Sequence, residues 1–316
     1  MIERIAAIVA DAEAAFDGRV WPVHELDDEV LPFEQVGLYL GNAGMLWALR
    51  RLGSNLDVPI ETDLVRDNPS LLVGETGVLL VTRDDDARLQ ELIDANAESA
   101  WNELLWGAPG TMIAAGHAGL DAAHSAEVLL ERVELDGLWS QQLRKPAKLL
   151  GAAHGFAGNI HALRGHVSDD ELRSWVESVL REHAVWEGDI VNWPPTTGVE
   201  PNRVQWCHGA PGIVATLGDL MPEDLLVAAA ECTWRRGPLE KGPGLCHGTA
   251  GNGYALLKTF AVTGDALWLE RARSFAMAAL DQRQQRYSLF TGDIGAALFA
   301  QACLEEDARF PIMDVV

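Results

Sequence analysis

Cys207-His208 and Cys246-His247 stand 39 residues apart, each directly ahead of a Gly-x-x-Gly turn, Gly209-Ala210-Pro211-Gly212 and Gly248-Thr249-Ala250-Gly251. Thiolate and imidazole are the groups zinc selects, and it takes four ligands tetrahedrally. All four together would close a structural site, whereas three would leave a position for water or substrate. Neighbouring side chains at a turn tend to diverge, which weighs against both pairs closing on one ion. Buried, inert cysteines with no metal are the third possibility. His154 precedes another such turn, Gly155-Phe156-Ala157-Gly158, without a cysteine beside it.

The turns belong to a repeat. Gly-x-x-Gly followed by an apolar, helix-forming run begins at Gly41, Gly74, Gly107, Gly155, Gly209, Gly248 and Gly292, at intervals of 33, 33, 48, 54, 39 and 44 residues. Chance at this glycine content supplies about three such pairs, and Gly116 to Gly119 is an out-of-phase example. The shared register is more telling than the count. The residues just before the first glycines are Leu40, Val73, Trp106, His154, His208, His247 and Thr291. One place earlier stand Tyr39, Leu72, Leu105, Ala153, Cys207, Cys246 and Phe290. Three histidines and two cysteines thus occupy equivalent places in consecutive repeats, which stacking sets side by side.

What must position them is helical. A glycine pair suits a tight entry into a helix beside a crowded neighbour. Between the pairs, residues 168–186 open on the capping box Ser168-Asp169-Asp170-Glu171 and continue with helical periodicity. Residues 2–16, 222–236 and 264–284 read the same way, while residues 54–70 hold two prolines and little periodicity. Strand-like alternation is scarce. The chain reads as all-α, a single domain over residues 1–316, with one helix after each turn and one between turns. Periodicity alone leaves open whether the repeats form an open solenoid or a closed α/α toroid.

Composition restricts the partners. With 24 Lys and Arg against 47 Asp and Glu, the formal net charge is -23, a field that repels phosphate backbones and argues against nucleic acid. Glu3, Asp11 and Glu13 interrupt the N-terminal apolar residues, so no signal peptide is read, and no run is long enough to span a bilayer. A cytoplasmic protein with reduced cysteines is expected. Cys232 and Cys303 sit among apolar helix residues and read as core. His117 and His161, off the register, read as surface or satisfied core histidines. Trp206 is expected to line the cavity.

Trp206-Cys207-His208-Gly209-Ala210-Pro211-Gly212, Cys246-His247-Gly248-Thr249-Ala250-Gly251 and His154-Gly155-Phe156-Ala157-Gly158 resemble, in this order, signatures of the lanthionine synthetase C-like proteins. The resemblance covers all seven repeats. It implies a double-ring α/α toroid with zinc at one end of its central cavity, held by Cys207, Cys246 and His247. It also implies His154 as an active-site histidine and Arg203 as an active-site arginine. Lanthipeptide cyclases carry tyrosine where this chain has His208, and aspartate where it has Glu103. On both points the chain is more similar to the glutathione-binding branch.

The chemistry so implied is Michael addition of a thiol, from a peptide cysteine or glutathione, to dehydroalanine or dehydrobutyrine, giving a lanthionine-type thioether. Zinc would stabilise the thiolate. His154 is the candidate general acid, Arg203 would stabilise the developing oxyanion, Glu103 would orient or charge a histidine, and His208 is a second proton candidate. The partners expected are a peptide or protein containing a dehydroamino acid, and glutathione. One alternative is a non-catalytic zinc-dependent thiol-binding or scaffold protein. Another is a toroidal glycosidase using Glu75 and Asp293, which needs paired carboxylates across a sugar.

Overall fold

The structure is a computed structural model and describes residues 1–27, 30–141 and 146–314. Thirteen α-helices are found among the described residues. Seven start at the glycine turns: α2 (Asn42–Arg51), α3 (Glu75–Thr82), α5 (Ala108–Ala118), α7 (Phe156–Ala162), α9 (Ala210–Leu217), α11 (Thr249–Thr263) and α13 (Asp293–Glu305). Six lie between them: α1 (Ile2–Ala15), α4 (Asp86–Asn96), α6 (Ala123–Glu131), α8 (Asp169–Glu182), α10 (Glu223–Arg236) and α12 (Ala266–Asp281). The first set packs in unbroken succession, each on the next, and α13 packs back on α2. The second set lies outside it, with α1 against α13 completing the outer layer. The protein is therefore a closed α/α toroid. Phe290 N–H donates to the Tyr39 carbonyl at 3.2 Å, joining the seventh turn to the first.

Local sequence explains each layer. The α8 capping box forms as read, with Ser168 and Glu171 exchanging bonds. None of the inner helices has a side-chain cap. The loop ahead of the helix folds back to cap it instead: Asn42, Glu75, Phe156, Thr249 and Asp293 each donate N–H to a carbonyl seven residues earlier. The first free amides are thus satisfied by backbone.

That fold-back makes the second glycine of each pair indispensable. A Cβ on Gly77 would lie 2.0 Å from the Leu71 carbonyl oxygen, and one on Gly212 would lie 1.7 Å from that of Trp206. The requirement is space, not a left-handed backbone. Gly77→Ala, far from the cysteines, is expected to cost about 3 kcal/mol, the upper part of the range for forced overpacking. Chemical denaturation checks it, and an unchanged midpoint would show that the turn yields cheaply.

Two short antiparallel hairpins occupy the long intervals: β1 (Ser140–Gln141) with β2 (Ala147–Lys148), and β3 (Val185–Glu187) with β4 (Ile190–Asn192). Residues 54–70 supply only a 3-10 turn, Thr62–Leu64, where an outer helix would stand. Among the described residues no helix is long and apolar enough to cross a membrane. All four cysteines are buried free thiols.

Candidate metal centre

The turns ahead of α9 and α11 meet edge to edge, with Cys207 N–H donating to the Cys246 carbonyl at 3.1 Å. Leu245 and Cys246 both donate N–H to the Phe290 carbonyl at 2.8 Å, fixing the second cysteine against the seventh turn. The result brings one donor atom each from Cys207, Cys246 and His247 within 4.8 Å of one another. Tetrahedral zinc with Zn–S of about 2.3 Å and Zn–N of about 2.0 Å needs donors roughly 3.6–3.8 Å apart. Two thiols and an imidazole at this spacing fit such an ion with little movement. The adjacent side chains Cys246 and His247 converge, whereas His208 lies outside the group formed with Cys207. Divergence therefore holds at one turn and fails at the other.

The thiols share their protons unequally. The hydrogen bond from Cys246 lowers Cys207 to about 7 against the effect of burial, with Gln205, His154 and Arg203 assisting. That bond and burial push Cys246 well above the usual thiol range. Gln205 Nε2 donates to Cys207 Sγ at 2.9 Å, and the Tyr39 hydroxyl is a hydrogen-bond partner of Cys246. Such outer partners orient ligating sulfurs. Burial, and then the charges of Lys241 and Arg286, lower His247, leaving a neutral imidazole suited to ligation.

One turn further round, His154 Nδ1 lies 2.8 Å from Glu103 Oε2. Glu103 is buried and also accepts the Leu105 and Trp106 amides at 3.0 and 2.5 Å. Burial disfavours a charged His154, but the bond and charge of Glu103 outweigh it, with Cys207 adding, so His154 is held above its ordinary value. The His208 ring lies 6.0 Å from it, centroid to centroid. Burial first, then the charges of His154 and Arg203, push His208 down to about 4. The two neighbouring imidazoles are thus shifted in opposite directions, His154 up and His208 down. His208 Nδ1 is buried without a partner among the described residues.

Arg203 is exposed, and its guanidinium has no hydrogen bond or ion pair among the described residues. It lines a cleft of about 620 Å³ with Asn192, Gln205, Arg236, Glu240 and Lys241. Lys241 Nζ donates to Gln205 Oε1 at 3.0 Å and makes no ion pair among the described residues. Gln205 thus connects the cleft to Cys207.

The structure also disposes of other expectations. Glu75 is clamped by Arg88 and the Asp67 amide, and Asp293 accepts the Gln284 and Gln285 amides, so both carboxylates are consumed anchoring loops. Nothing favours a glycosidase. Trp206 is fully buried and does not line the cavity. His117 and His161 each bond through Nε2 to a backbone carbonyl, although His161 Nδ1 is buried with no partner among the described residues. Tyr39, Gln205 and Lys241 were not singled out in the sequence. Tyr39 alone carried a signal, since it shares the cysteine register in the first repeat.

The lanthionine synthetase C-like protein family model matches residues 23–315. The chain belongs to the lanthionine synthetase C-like family. Among lanthionine synthetase C-like relatives, glutathione S-transferase LANCL1 of Danio rerio is 33% identical over 186 residues, 52% of this chain and 46% of that protein. LanC-like protein GCL1 of Arabidopsis thaliana is 30% identical over 222 residues, 63% of this chain and 48% of that protein. The match thus spans about half the length of either curated relative. Nisin cyclase shares the lanthionine synthetase C-like toroid, with a TM-score of 0.63 at 14% identity over 95% of this chain and 93% of that one.

Proposed function

We propose that the protein is a zinc-dependent enzyme that adds a thiol to dehydroalanine or dehydrobutyrine and so forms a thioether. The observation that supports this above others is the hydrogen-bonded Glu103–His154 pair set one turn from the Cys207, Cys246 and His247 donors. In the reaction the new S–C bond forms at the β-carbon, the C=C π bond breaks, and the proton displaced from the thiol is balanced by one delivered to the α-carbon. No oxidant or reductant is needed.

Cys207, Cys246 and His247 would hold zinc, and when bound it would supply Lewis acidity that keeps an incoming thiol as thiolate. Gln205 and Tyr39 hold the two ligating sulfurs in place. His154, raised by its bond to Glu103, gives its proton to the α-carbon. Arg203 would stabilise the enolate oxygen that develops during attack. His208, pushed down to about 4, does not compete as the donor.

The cleft bears on the thiol. In a chain with about twice as many acids as bases, Arg203 and Lys241 line this cleft without carboxylate partners among the described residues. A thiol flanked by carboxylates, as in glutathione, meets that demand. The test is mass spectrometry of a dehydroalanine peptide incubated with the zinc-loaded protein and either glutathione or an internal cysteine. Adduct formation above the uncatalysed rate is expected. Lys241→Ala is expected to raise KM for glutathione about tenfold, a charge-assisted hydrogen bond being worth about 1.5 kcal/mol, with little change in kcat. Zinc-loaded wild type that never exceeds the uncatalysed rate with either thiol would leave a thiol-binding or scaffold protein as the better reading.

A further inference from the structure

Beyond α13 the chain turns back into the hole of the ring. Glu306 ends the helix in the left-handed region, at φ 57°, and Phe310, Ile312 and Met313 are almost fully buried. Side chains from several repeats grip this stretch. His117 and His161, at the far ends of α5 and α7, donate Nε2–H to the carbonyls of Ile312 at 2.8 Å and Met313 at 2.9 Å. Asp314 accepts the Phe310 amide at 2.6 Å, with Lys258 of α11 at 3.8 Å. Ile312 sits at φ 69°, a conformation that a β-branched residue adopts only when its surroundings impose it.

Phe310 is the upper end of this stretch. Its ring stacks on Trp206 at 4.7 Å and 5° between planes, and Tyr254 meets it edge-on at 5.0 Å. Trp206 is fully buried, yet its indole N–H has no partner among the described residues. Packing, with the Phe310 stack its nearest aromatic contact, orients the ring. Trp206 also meets Phe290, tilted by 50° at 5.9 Å, which stacks in turn on Tyr39 at 5.2 Å. The column Phe310–Trp206–Phe290–Tyr39 therefore runs from the plug to the rim. Trp206 is bonded directly to Cys207, the Phe290 carbonyl holds the Cys246 amide, and Tyr39 reaches the Cys246 thiol.

We infer that Phe310 is a positioning residue for the thiol centre: through Trp206 it fixes where Cys207 presents its sulfur, so the segment plugging the ring also sets metal affinity. The inference rests on the zinc reading given above. Phe310→Leu keeps an apolar, somewhat smaller side chain and removes the ring, so the fold should survive at a moderate cost in stability. Loss of a residue that orients a ligand typically costs at least about tenfold in metal affinity.

The experiment is zinc affinity of the full chain by competition with a chromophoric chelator, alongside thermal unfolding. Phe310→Leu is expected to weaken zinc about tenfold, and Phe310→Tyr, which restores the ring, to hold it as wild type does. Met313→Ala loosens the same segment without removing a ring from the column, and is expected to lower stability with zinc affinity nearly unchanged. Wild type that holds no zinc overturns both this inference and the proposed function. Wild type that holds zinc, with Phe310→Leu equal to it or Met313→Ala equally weakened, overturns this inference alone.

Discussion

Alanine at Cys207, Cys246 or His247 is expected to abolish zinc binding and thiol addition together, while His208→Ala keeps the metal. The three donors lie within 4.8 Å of one another, and removing any one leaves two. Two ligands seldom retain zinc against solvent, because most of the binding free energy comes from completing the protein-donated set. The loss should extend to stability, since zinc that binds only the folded chain adds to its unfolding free energy. Elemental analysis of purified variants gives the metal content, expected to fall from about one zinc per chain to almost none. Metal lost from His208→Ala, with Cys246 intact, would instead indicate a closed site of two cysteines and two histidines.

His154→Ala is expected to lower the rate of thiol addition about 100-fold or more, the usual effect of deleting a general acid, with zinc content unchanged. His154 stands outside the donor group, and the bond and charge of Glu103 raise it against the effect of burial. The sign of the pH dependence follows. A raised His154 value means the acid is fully charged below its ordinary range, so activity should be level there and fall as pH rises through the elevated value. The Glu103–His154 pair likewise stabilises the fold at low pH and loses that contribution over the same rise. Glu103→Gln removes the charge that opposes burial, and the falling limb of the pH–rate profile should move to lower pH. Equal rates for wild type and His154→Ala would remove His154 from the mechanism. An unmoved pH limb in Glu103→Gln would separate the carboxylate from the proton.

The fold was legible because its repeat is written in glycine. Each inner helix needs a glycine where the loop folds back on its first turn, and no other residue fits. The register so defined sets His154, Cys207-His208 and Cys246-His247 in equivalent places from the sequence alone. The break at residues 54–70 was visible too, since its prolines and weak periodicity correspond to a missing outer helix. Trp206 was misjudged because adjacency to Cys207 says nothing of which way an indole turns.

By itself the sequence determined an all-helical repeat, its glycine register, the clustering of cysteine and histidine in neighbouring turns, and the family. These are local properties, fixed by steric fit and by periodicity along the chain. Only the tertiary structure decided that the ring closes, because the contact of α13 with α2 joins residues more than 240 apart and leaves no mark on either segment. Closure carries Tyr39 from the first repeat to Cys246 in the sixth. It also decided that His247 turns toward the thiols and His208 away. The two dipeptides are chemically alike, but Cys207 is bound to the sixth turn through its amide, whereas Cys246 is bound to the seventh. Orientation at a rim depends on which neighbour each turn leans against, and that is a property of the assembled ring.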